Sequence, residues 1–402
     1  MKRLAWTAGA LGMAFMGAVG VAVVGVEVGF PGLVVGFLLA TIPVPFYLAL
    51  VLWIDRYEKE PLPMLALAFF WGATAAFFFA LVFNSINGAI LHEIGGARAA
   101  QVGTPVFSAP FVEELAKGLA LFLLFFWQRD EFDNVTDGVV YAAMVGLGFA
   151  MSENILYYGQ ATQGGPGGPV AVFLMRGVMA PFSHPLYTAL TGIGLGIARE
   201  TRGPIRWAAP PLGLAGAMIL HSLWNLAASA GGGPFLLVYL VLMVPTFAAV
   251  IAIVVWSLKR EAAILRAHLA PHVEAGVLSP AEIEILSSVR ARTRGSIAAL
   301  RDGGVPAWRQ RRAIHQTASE LAFHGWRTSR GISRGAEADA RREARHLERL
   351  RALRGSHPGP GRDAVPPTVR PAVPPTVPSP GPARAPAAPG LLDDDPHAGE
   401  AP

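Results

Sequence analysis

Two adjacent carboxylates, Glu113 and Glu114, stand just before Lys117 in a stretch that is otherwise apolar. A Glu153-Asn154 pair sits near the end of another apolar stretch, and His184 and His221 interrupt two more. Asn225 follows His221 by four residues, so the two share a helix face. These residue types support two related kinds of chemistry. In the first, Glu and His side chains hold Zn²⁺ while a free carboxylate takes a proton from water. In the second there is no metal. A Glu in apolar surroundings activates water with help from His, and His221 with Asn225 stabilises the oxyanion. Both end in hydrolysis of an amide.

Each feature has a plainer reading. Glu113 and Lys117, at i and i+4, can form a buried ion pair, but that leaves the second Glu unexplained. Glu153 and Asn154 can be wetted at the end of a short helix. His184 can hydrogen-bond a neighbour with no chemistry. His221 and Asn225 can tie one helix to the next. Convergence of all of them is what favours a site, because ionisable groups at membrane depth are costly.

The elements that position them follow from composition. The chain has 402 residues, 52% hydrophobic and only 15% charged, against about 25% charged in soluble domains. Most Lys and Arg come after residue 258. The first 258 residues divide into about eight apolar segments, each of about 20 residues or more, as a spanning helix requires. Their limits are 4–26, 31–54, 63–91, 105–127, 136–158, 170–198, 207–229 and 234–258. The first is too long for the core of a signal peptide and reads as an uncleaved helix. Pro181 and Pro185 should kink the sixth.

The fold class is therefore all-α: a polytopic membrane bundle with a helical tail. The loops of one side hold Arg56, Lys59, Arg129, Arg199, Arg202 and Arg206, and the opposite loops little besides Arg98. The positive-inside rule places both termini in the cytoplasm of a cell-membrane protein. Measured from the external ends at 1.5 Å per residue, Glu113 and His221 lie roughly 12 Å deep, Glu153 roughly 8 Å and His184 roughly 20 Å. The polar groups thus fall between the external surface and the midplane.

After the membrane domain (1–258) comes a basic region, 259–354. Ile264, Leu265, Leu269, Ile283, Ile285, Leu286, Leu321, Leu347 and Leu350 recur there with helical spacing. Residues 355–402 are rich in Pro and Ala, with acidic residues at 393–395, and should be disordered. The basic excess is explained by topology and anionic membrane lipid rather than by nucleic acid. With no cysteine, disulfides, thiolate zinc sites and a cysteine nucleophile are excluded. No HExxH and no Gly-x-Ser-x-Gly occurs.

Glu113-Glu114-x-x-Lys117, Phe149-x-x-x-Glu153-Asn154 and the later pair of membrane histidines resemble the PrsW family of intramembrane proteases. The segment Asp55-Arg56-Tyr57-Glu58-Lys59-Glu60-Pro61 resembles the one such proteins carry between early helices. The resemblance covers roughly residues 30–258. It implies an external-side cut in a membrane-anchored protein, in the family an anti-sigma factor. It implies catalytic roles for Glu113, Glu114 and His184, supported by Lys117, Asn154 and Asn225. It leaves open a zinc site built from Glu153, His184 and His221, or a metal-free glutamate mechanism. The runners-up are a prenyl-type (CAAX) or bacteriocin-processing peptidase, a transporter or proton relay, and an inactive scaffold. No inverted repeat of the kind a transporter carries is evident.

Overall fold

The computed structural model describes residues 2–165, 167–333 and 335–355, and among them there are helices and no strands. Helix α1 (Lys2–Thr41) folds back at Gly29, whose φ of 71° is open to glycine and strained for other residues. Gly25 faces Leu33 across that turn. Helix α2 (Val44–Ile54) continues the returning half. Then come α3 (Leu62–Phe70), a π-helical turn at Trp71–Ala76, and α4 (Phe77–Gly103), which folds back at Gly96. A second π turn, Thr104–Ser108, leads into α5 (Ala109–Trp127). Next are α6 (Val135–Ala161), α7 (Gly168–Phe173), α8 (Ser183–Glu200), α9 (Pro204–Ala230), α10 (Gly232–Val238) and α11 (Val244–Leu269).

Among the described residues, five stretches are long and apolar enough to cross a membrane: Thr7–Ile54, Leu62–Trp127, Val135–Gly164, Pro204–Ala230 and Gly232–Glu274. The first two, of 48 and 66 residues, are the ones that fold back at Gly29 and Gly96. The chain is an all-α membrane bundle. Helix α8 is less apolar and lies inside, with Tyr187, Thr188 and Leu195 fully buried.

Helix α6 is the centre. It is buried continuously from Val135 to Ala150. Asn134 and Asp137 form a reciprocal capping box at its start. Glycines then let neighbouring backbones touch it. A Cβ on Gly138 would collide with the Gly192 carbonyl of α8, and one on Gly148 with the Phe69 carbonyl of α3. Small residues at helix crossings are the usual means of close packing in membranes, where apolar burial alone gives no drive.

The region after the bundle is helical: α12 (Pro271–Glu274), α13 (Pro280–Leu286), α14 (Val289–Ser329) and α15 (Ala336–Gly355). Leu265, Leu269, Ile283, Leu286, Leu321 and Leu350 are buried in one cluster with Val139, Leu186 and Ala217 of the bundle. Arg327 bridges Glu58 at 2.6 Å and Asp133 at 2.9 Å, tying α14 to two loops of the bundle. The tail expected to be disordered lies, from residue 356 on, outside the described residues.

One of those loops carries a pH-sensitive group. Asp55 accepts the Glu60 N–H on both oxygens, at 3.0 and 3.1 Å. Burial pushes its carboxyl up to about 7, against the opposing effects of that N–H and of Lys59. In the unfolded chain the same group titrates near 3.8. Between those values the folded protein binds the extra proton, so stability falls as pH rises through that window. Melting the purified protein from about pH 4 to about pH 8 should show this decline, and Asp55→Asn should lessen it, since burial also pushes up the Glu58 and Glu60 carboxyls of the same loop.

Candidate active site

Helix α5 brings Glu113, Glu114 and Lys117 into the interior, all three nearly free of solvent. Pro110 falls in its first turn, where a missing N–H costs nothing. The two carboxylates have different surroundings. Glu114 is fully satisfied. Its Oε1 accepts from Lys117 Nζ at 2.5 Å and from His221 Nδ1 at 3.1 Å, and its Oε2 accepts from Thr188 at 3.2 Å. Glu113 Oε2 is buried with no hydrogen-bond partner among the described residues. It lies 3.8 Å from Lys117 Nζ and 3.9 Å from His221 Nε2.

These contacts assign the imidazole protons. An ionised carboxylate only accepts, so His221 donates from Nδ1 and turns the lone pair of Nε2 toward Glu113. An ammonium only donates, so His184 Nδ1, 3.1 Å from Lys117 Nζ, accepts. His184 Nε2 then carries the proton and donates to Glu153 Oε2 at 2.8 Å. Carboxylate-oriented imidazoles of this kind are typical around catalytic and metal centres. Tyr187 stacks on His221 at 4.6 Å, the two imidazoles lie 5.2 Å apart, and Lys117 sits 4.2 Å above the Phe149 ring.

His184 does not lie deeper than Glu153, as helix rise alone would have it. A π-helical turn at Leu174–Met179 and non-helical backbone at Ala180 end the incoming segment, and α8 restarts at Ser183. His184 therefore sits in the first turn of a new helix, level with Glu153. Pro185, next to it, occupies a position where it breaks no helical bond.

Glu153 departs from its expected place among metal ligands. Its carboxylate is ion-paired with Arg176 and receives the His184 proton. Arg176 Nε also donates to Asn154 Oδ1 at 2.7 Å. Arg176 and Thr188 are site residues that motif reading missed. Arg176 carried the same signal as the others, a charge in the apolar run after residue 169. Asn225 donates to the Pro105 carbonyl at 2.8 Å, fixing α9 to the segment that leads into α5. A cavity of about 350 Å³ opens beside the cluster, lined by His184, Asn154, Arg176, Ser183, Asn225 and Trp224 among others.

Glu113, His184 and His221 each offer a ligand atom, and these atoms lie within 4.8 Å of one another. One carboxylate and two imidazoles form a zinc donor set that leaves a coordination position open. The unpartnered Glu113 oxygen faces the His221 lone pair, an arrangement of two acceptors that calls for a cation. The residues present fit a metal ion once Lys117 releases His184 Nδ1, the lone pair that the ion would take. Lys117 also places a positive charge among them.

The framework behind His184 is tight. A methyl on Gly146 would meet Pro185 N and Cα at 2.7 Å and the His184 carbonyl carbon at 2.8 Å. All three are backbone atoms, so α8 itself must move. Gly146→Ala should lower the rate of any reaction at this cluster by about 10²-fold, the scale expected for a misplacement of about 1 Å. The check is kcat alongside a thermal melt, which should still show a folded protein.

Residues 60–250 match the model of the "PrsW family intramembrane metalloprotease". Protease PrsW of Geobacillus kaustophilus (strain HTA426) is 32% identical over 145 residues, covering 36% of this chain and 58% of the relative. Protease PrsW of Bacillus subtilis (strain 168) is 30% identical over 179 residues, covering 44% of this chain and 74% of the relative. No solved structure matches the chain. All four elements of the cluster, α5, α6, α8 and α9, lie within the matched residues. A chain with this architecture, this buried Glu and His set and these relatives belongs to the PrsW family.

Proposed function

We propose that the chain is an intramembrane endopeptidase that hydrolyses a peptide bond in a membrane-anchored protein. The observation that carries this reading is the meeting of Glu113, Glu114, His184 and His221 at one buried point, beside a cavity lined by hydrogen-bonding groups. Glu113 has the free oxygen, so it is the acting carboxylate. Glu114 orients His221 and neutralises Lys117. Glu153 orients His184. Arg176, Asn154 and Asn225 face the cavity, where they can hold the carbonyls of an extended substrate.

In the metal-dependent form of this reading, Glu113, His184 and His221 hold zinc. The ion would polarise the scissile carbonyl and lower the pKa of water. A metal-free form is favoured by Lys117, whose ammonium already occupies the His184 lone pair that an ion would need. There Glu113 itself takes the proton from water and returns it to the leaving amine. Metal analysis of the purified protein, and activity before and after chelation, separate the two.

The loop charges favour a site toward the external face of an eight-pass bundle with both termini cytoplasmic. Together with the family resemblance, this favours an external-side cut, with an anti-sigma factor as the substrate class. Comparing membrane proteomes with and without the protein tests this. A membrane-anchored protein shortened on its external side only when the chain is present supports the reading. An unchanged set of anchored proteins under every growth condition tried would sink it.

A further inference from the structure

Helix α14 is a hairpin. At Gly304 φ is 66°, and Pro306 follows two residues later. Gly295 faces Arg311 across the turn, and Arg292 donates to Ser319 at 2.7 Å. The two arms therefore run antiparallel with the tip near residue 304. Residues 289–313 hold Arg290, Arg292, Arg294, Arg301, Arg309, Arg311 and Arg312 against a single carboxylate, Asp302. The tip also exposes apolar side chains: Ile297 is 62% exposed, Val305 48% and Leu300 44%. Residues of these two kinds together on one helical arm suit neither water nor a protein core.

The arm's attachment tells what surface it meets. Arg327 reaches Glu58 and Asp133, and Arg292 reaches the Arg56 carbonyl at 3.1 Å, with Ser319 on its other side. Residues 56, 58 and 133 lie in the loops that join the apolar stretches, so they mark one face of the bilayer. The helix from 319 to 327 is about 12 Å long; Arg327 at its far end meets that face directly, and Ser319 at its near end is linked to it through Arg292. Its axis therefore runs along that face rather than away from it, which keeps the arm near the bilayer surface.

We propose that the hairpin around Gly304 is an interfacial membrane anchor whose arginines bind the headgroups of an anionic bilayer while Ile297, Leu300 and Val305 enter the headgroup boundary. Charge complementarity selects the occupant: an anionic leaflet attracts a polybasic segment held within a Debye length of it. A half-apolar, arginine-lined helix that lies in the interface is the form such anchors take. The inference holds whichever side of the membrane that face occupies and does not depend on the proteolytic reading.

The chain has no cysteine, so Ile297→Cys or Leu300→Cys gives a single labelling position in the full-length protein. An environment-sensitive fluorophore there is compared with one at Glu348→Cys, an exposed position on α15. The protein is placed in nanodiscs of phosphatidylcholine alone or mixed with phosphatidylglycerol, one copy per disc, with spin-labelled lipid as quencher. The expected result is a blue shift and several-fold stronger quenching at position 297 or 300 than at 348. The effect should be largest in the anionic discs and reduced by high salt or by Arg290→Gln with Arg294→Gln and Arg301→Gln. Equal, weak quenching at all positions in both lipids overturns the proposal. Protection that arises only when two copies share a disc also overturns it and assigns the face to a second copy.

Discussion

Glu113→Gln should abolish cleavage, by roughly 10³-fold, and leave the protein folded. The carboxylate it removes has an oxygen with no hydrogen-bond partner among the described residues. Its nearest charged neighbours are 3.8 and 3.9 Å away. Glutamine fills the same volume and spares the interior a charge, so thermal stability should change little or rise. Lys117 keeps its short contact to Glu114. The loss falls on chemistry alone, because the amide neither accepts a proton from water nor serves as a good zinc ligand. Parallel measurement of kcat and the thermal midpoint in the same detergent checks both halves.

Glu114→Ala should do the reverse and unfold the site. Glu114 is 1% exposed and accepts from Lys117, His221 and Thr188. Removing it strands an ammonium, an imidazole N–H and a hydroxyl in the interior. Breaking a buried ion pair on one side costs about 3–5 kcal/mol, a large part of a typical domain's stability. Adding Lys117→Met should recover much of that loss, because an apolar side chain replaces the orphaned charge. It should not recover activity, since His221 is still without the acceptor that sets its tautomer. If Glu114→Ala is as stable as the parent protein, the anchoring role assigned to Glu114 is wrong.

What could be read from the chain alone follows from which signals are local. A pair of carboxylates in an apolar run is costly wherever the helix packs, so Glu113 and Glu114 stand out with no structure. The i, i+4 spacing of His221 and Asn225 likewise needs only helix geometry. The division of labour between Glu113 and Glu114 was not legible, because it depends on donors that arrive from α8 and α9. Glu153, expected among the metal ligands, pairs with Arg176, a partner that local spacing does not reveal. That arginine is separated from it by 23 residues. Continuous helix rise puts His184 too deep, because the helix stops at residue 180 and restarts at Ser183. A π-helical turn leaves little trace in residue pattern, and Pro181 marked a kink without giving its size. The turns at Gly29 and Gly96 lie where two apolar segments part, and the α14 hairpin carries a local mark of its own. Its signal, Gly304 two residues before Pro306, is the same as that of Gly29 and Pro31.

The central claim is that the cluster around Glu113 and His184 cuts peptide bonds within the membrane. It is tested most directly by reconstituting the purified protein with a membrane-anchored substrate and identifying products by mass spectrometry. The parent protein and the Glu113→Gln, His184→Ala double variant are run side by side, both confirmed as folded by melting. The account predicts a discrete product pair from the parent, with the new termini near the external end of the substrate's spanning segment, and none from the variant. The same products at the same rate from both proteins would contradict it.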